Sequence, residues 1–151
     1  MKTDFEAPPE IYEEWRKLSY VDETISLLPL VPAIEVAWAE GFLQAGERRT
    51  ILQIFAETRN DNAEQHDALL RWLDERPSDE FFASANGLMS RWLAKISPAQ
   101  AAVLRDFLHA SCLKVAGASH TIGLKTGSQT ICREERRRLE LLGNQLGFTL
   151  A

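Results

Sequence analysis

The chain has 151 residues, 45% of them hydrophobic and 26% charged, enough for one domain that buries roughly two-thirds of its unfolded surface. With 22 acidic against 17 basic side chains its net charge is -5, which argues against a nucleic-acid binder and fits a cation or a basic protein surface better. Two cysteines make no secreted disulfide framework, and the longest apolar stretch, Leu27 to Ala39, is interrupted by Pro29, Pro32 and Glu35, so it falls short of the roughly 20 apolar residues a bilayer span needs.

Residues 1–8 are polar, carry no apolar leader segment and end at Pro8-Pro9, so they read as a flexible N-terminal tail ahead of a helical domain at 9–151. From about Glu10 to Leu18, Ile11, Trp15 and Leu18 fall on one helical face. Asp22 to Leu28 can add a turn or two before Pro29 and Pro32 restart the chain, Pro32 suiting the first turn of a helix that ends at Ala39. The next helix runs from about Ala45 to Thr58 with Ile51, Leu52 and Phe55 inward. Asp61 and Glu64 are spaced as a capping box before Leu69, Leu70, Trp72 and Leu73. After Pro77-Ser78 an apolar face runs from Phe81 to Leu93, as one helix or as two broken at Asn86-Gly87. Ser97-Pro98-Ala99-Gln100 is a helix start with a capping serine, proline at N1 and glutamine at N3. Leu104, Phe107, Leu108, Ser111, Cys112 and Val115 follow as one buried stripe, and a last helix carries Leu139, Leu142 and Leu146 up to Gly147. No segment alternates as a strand does. The expected fold is all-α, a single-domain helical bundle.

One pattern occurs twice. Val36-Ala37-Trp38-Ala39, a turn at Glu40-Gly41-Phe42 and then Leu43 lead to Glu47-Arg48; Val115-Ala116-Gly117-Ala118, a longer turn and then Ile131 lead to Glu135-Arg136. Each copy reads as helix, turn and capped helix, so the chain contains two repeated helical hairpins. With Gln44 and Cys132 at the N-caps, Glu47 and Glu135 stand at N3, where a carboxylate reaches back to the cap N–H and favours the positive helix end. The competing role for these glutamates is ligation.

On these residues the chain resembles the tellurite-resistance TerB-like proteins and the related N-terminal domain of a membrane-anchored DnaJ-type co-chaperone, over residues 22 to 147. Their signature is an alanine-rich helix end, an Asp-Gly turn, an aliphatic residue and Glu-Arg opening the next helix. The resemblance implies an all-helical fold, a link to tellurite and other chemical stress, and acidic turns that bind a divalent cation. Carried over by position, the metal residues would be Glu40, Glu47 and Glu135. Glu40 replaces the usual aspartate, and the second copy has Ser119-His120 where the acidic pair would stand.

Other chemistry is sparse. His109 and Cys112 are three apart on one helix, and with His120 and Cys132 they would offer two nitrogens and two sulfurs to tetrahedral zinc, although Cys112 also fits the buried stripe. Lys125-Thr126 lacks the glycine that a phosphate loop places before its lysine. The run Arg133 to Arg138 reads as an exposed face with a Glu134–Arg138 pair at i, i+4, or as a contact for an anion or partner. Trp15, Trp38, Trp72 and Trp92 fall at core positions, but Trp38 borders the repeated turn, where with Phe42 it could meet a partner instead. The loop 119–130 occupies the matching place in the second copy.

The reading is a non-enzymatic, cytoplasmic stress-response or scaffold module acting through another protein, with no nucleic-acid partner and no membrane insertion. The alternative is a divalent-metal-binding protein using its acidic turns.

Overall fold

The computed structural model describes residues 6–58, 63–118 and 133–148, and among these there are helices and no strands. Helix α1 (Pro9–Lys17) starts with proline, whose missing N–H costs nothing in a first turn, and turns Ile11 and Trp15 inward. The chain leaves it through Ser19 at φ 75. The expected turn or two after Asp22 is a 3-10 helix, Asp22–Leu30, longer than the spacing suggested. Pro29 within it has no N–H to donate, which suits a short, tight helix rather than a continuing α-helix.

Helix α2 (Val31–Ala37) follows directly, with all of its residues buried, so it is the axis of the bundle. It packs against α3 (Ala45–Glu57), α5 (Asp79–Lys95), α6 (Pro98–Gly117) and α7 (Arg133–Leu146), while α4 (Ala63–Asp74) lies on the 3-10 segment. Helix α5 is continuous through Asn86-Gly87. A Cβ at Gly87 would meet nothing, and buried Asn86 gives its side-chain amide to Glu35 instead of competing for the backbone.

Helix α6 opens as its sequence demands. Ser97 Oγ accepts from Gln100 N–H at 3.2 Å, and the Gln100 side chain accepts from Ser97 N–H at 3.4 Å. Helix α7 ends at Gly147, φ 90, where the Gly147 and Phe148 N–H groups both reach the Gly143 carbonyl, at 2.8 and 3.0 Å. The inward residues Ile51, Phe55, Leu104, Leu108, Val115, Leu139 and Leu142 are buried, but Leu43 and Phe107 are only half-buried at the edge of the core. Asp61, half of the expected capping box before α4, lies outside the described residues.

Candidate functional site

The α2–α3 turn, the first copy of the repeated pattern, is tied down at both ends. Trp38 N–H bonds the Ile34 carbonyl at 3.1 Å, and Gly41 N–H, at φ 94, bonds the Trp38 carbonyl at 2.8 Å. Trp38 is a correction to the expectation of an exposed indole. It is 8% exposed, and its Nε1–H donates to the Trp72 carbonyl at 2.9 Å, so it anchors the turn to α4 and has no free edge for a partner. Phe42 by contrast is 54% exposed. Glu40, half-buried between them, accepts from Gln44 Nε2 at 3.3 Å.

Beside this turn the first turn of α3 meets the first turn of α7. Glu47 accepts the Gln44 N–H on Oε1 at 2.9 Å, the N3-to-cap bond that the sequence suggests. Glu47 and Glu135 are both 0% exposed, and their side chains are in hydrogen-bond contact. Burial, then that contact, pushes the Glu47 carboxyl far above the ordinary range, to about 9, with Glu135 and Glu40 adding like charge. The physical reason is plain: two carboxylates cannot both stay ionised out of water at contact distance, so a proton is held between them. Glu47 Oε2 has no other donor to accept from. The pair therefore brings the first turn of α3 against the first turn of α7.

These are two of the three residues named as metal ligands, and Glu40 is close enough to bias Glu47. Among the described residues, however, no group of three histidine, cysteine, aspartate or glutamate side chains is arranged to hold a metal ion. A hard dication seeks six to eight oxygens, so the glutamates alone would underfill its shell. The soft-ligand set fares differently by member. Cys112 is fully buried and its thiol is pushed strongly upward by burial and then by Glu35, whereas metal ligation needs a thiolate. His109 stacks on Phe148 with ring centroids 5.0 Å apart. His120, Cys132 and the 119–130 loop lie outside the described residues.

A polar network in the core was not anticipated. Glu35, 7% exposed on the axial helix, accepts from Asn86 Nδ2 of α5 and from Arg138 Nη1 of α7 at 3.0 Å. Burial raises the Glu35 pKa while Asn86 and Arg138 oppose that shift. Arg138 thus turns inward to Glu35, and the expected exposed Glu134–Arg138 pair is not what holds it. The one available signal was a glutamate inside an otherwise apolar run. No helix among the described residues is long and apolar enough to cross a membrane. No protein-family model, curated protein or solved structure matches the chain.

Proposed function

We propose that this chain is a non-enzymatic scaffold module of TerB-like type, acting in the cytoplasm in the response to tellurite or other chemical stress by binding another protein through its α2–α3 turn. The observation that carries this reading is Phe42, more than half exposed on a turn whose neighbour Trp38 is locked into the core. An aromatic ring on a pre-ordered turn offers contact area at little entropic cost on binding. Glu40 beside it supplies a polar rim suited to a basic partner surface. Affinity capture from the native host with the wild type and with Phe42→Asp tests the reading. Proteins lost with Phe42→Asp and retained with an exposed substitution elsewhere, such as Glu80→Lys, support it. Identical sets from the folded variants reject it.

The divalent-cation reading keeps one specific observation in its favour, the buried Glu47–Glu135 contact with no other donor at Glu47 Oε2. A cation binding there replaces the shared proton and raises the melting temperature with the logarithm of its concentration above its Kd. Elemental analysis of natively purified protein, with calcium and magnesium melting series on wild type and Glu47→Gln, separates the two readings.

A further inference from the structure

We infer that the chain associates head to tail with copies of itself, the outer face of α7 from one molecule seating in the cleft between α1 and the α5–α6 corner of the next. The cleft has an apolar slot of about 300 Å³, floored by buried Trp92 and Leu104 and edged by Ile96 and exposed Val103. It continues into a wider groove through the shared residues Glu6, Ile96 and Gln100.

The groove carries four carboxylates, Glu6, Glu10, Glu13 and Asp22, against two cations, Arg16 and Lys95. Asp22 engages Arg16 at 2.7 Å, and Glu10 faces Lys95 at 3.8 Å. Among the described residues no cation pairs with Glu6 or Glu13. The first turns of α1 and α6 also open here, and each contributes roughly half a positive charge. Among the described residues the lining still keeps a negative balance. Tyr12 reflects this, its phenol pushed upward by burial and then by Glu6 and Asp22.

Helix α7 offers the complement. Glu135, Leu139, Leu142 and Leu146 face the core, which leaves Arg133, Arg137 and Leu141 on the opposite side at i, i+4, i+8. Leu141 is 52% exposed, an aliphatic side chain with two arginines on its own stripe. Glu134 and Glu140 border the stripe, and exposed Arg136 lies at its far edge beside the positive N-terminal end of α7, which keeps the exposed side of the helix's first half net positive. No ion pair among the described residues involves Arg133, Arg136 or Arg137.

The two faces cannot meet within one molecule. The α7 stripe points away from the body that its buried face packs on, and its C-terminal end is fixed to α6 by Arg105 Nε, which donates to the Leu146 carbonyl at 3.1 Å. Arg133 lies at the far end of that helix, about 20 Å away at 1.5 Å per residue. Made head to tail, the contact leaves one face of each kind free on a pair of copies, so assembly proceeds to rings or open chains.

Sedimentation velocity of the full chain over a concentration series, at low and at about 0.5 M salt, reads this directly. The expected result is a weight-average mass that rises past two chains with concentration and falls toward one chain in high salt. Two variants, Glu13→Lys with Val103→Lys on the cleft and Arg133→Glu with Arg137→Glu on the stripe, change only exposed positions, and circular dichroism checks their fold. Each alone should shift assembly to at least about tenfold higher concentration, as loss of rim charges and anchor implies. Mixed together they should stop at a dimer, since that pair retains one intact face of each kind. A wild type that stays monomeric throughout overturns the inference, whether the cleft is then empty, filled by the chain's own N-terminal residues or kept for a foreign peptide. Assembly unchanged in both variants, or a wild-type dimer that does not grow, overturns it equally.

Discussion

Replacing Glu47 by glutamine should stabilise the protein, and increasingly so as pH rises. Glutamine preserves the shape. Its Oε1 can still accept the Gln44 N–H, and its amide can donate to Glu135 where the shared proton did. What is removed is a group that folding forces to hold a proton. The Glu47 carboxyl titrates at 4.5 in the unfolded chain and at about 9 in the folded one. Between these values the folded state binds a proton that the unfolded state has released, so stability falls with rising pH by about 1.4 kcal/mol per unit. From 4.5 to pH 7 that amounts to about 3 kcal/mol, an upper bound on what Glu47→Gln recovers at neutrality. For a chain of this size it corresponds to about 6–12 °C in melting temperature. The assay is urea unfolding followed by tryptophan fluorescence from pH 4.5 to 9, with a chelator present so that no cation replaces the proton. The wild-type and variant curves should coincide at the acidic end and diverge steadily above it. Parallel curves, or a variant weaker than wild type at pH 8, would refute the shared-proton account.

Arg138→Ala should lower stability by about 1–3 kcal/mol, because Glu35 is left buried with Asn86 as its remaining partner while the partly exposed arginine moderates the loss; urea titration at neutral pH measures it. Trp38→Ala should cost about 3–5 kcal/mol by the same measurement, as expected of a core tryptophan, whereas Phe42→Asp should stay within about 0.5 kcal/mol of wild type. Cys112 should resist alkylation in native buffer and react on addition of denaturant, since burial both shields the thiol and holds it protonated; peptide mass spectrometry locates the modified residue, and rapid native labelling of Cys112 contradicts its place in the core.

The helices were legible where local chemistry alone decides them. Ser97-Pro98 and Gln100 carry a start signal that needs no tertiary help, and Gly147 marks a stop in the same way. The stripes of α6 and α7 could be read because one face of each helix is mostly apolar, with Ser111 and Glu135 as its polar members. Side-chain direction at element ends was not legible. Trp38 and Phe42 are four residues apart across a turn whose backbone leaves helical geometry, so periodicity says nothing about which ring goes inward; the Trp72 carbonyl, distant in sequence, decides it. The same limit applies to Arg138, for which a neighbour four residues away and a buried glutamate on another helix compete. The buried acceptor wins because a buried Glu35 with no cation beside it would be the costlier outcome. At the acidic residues, the cap bond from Gln44 to Glu47 was foreseeable from spacing. The contact between Glu47 and Glu135 depends on how α3 and α7 pack, which no local pattern encodes.

The central claim, that the α2–α3 turn is a docking face for another protein, is tested most directly by a photo-crosslinking amino acid placed at position 42 in the native host, with the same group at position 80 on α5 as control. A discrete adduct of defined mass from position 42, absent from position 80 and diminished by Glu40→Lys, is the predicted result. Position 42 crosslinking only to what position 80 does, or to nothing, under normal growth and under tellurite alike, would contradict it.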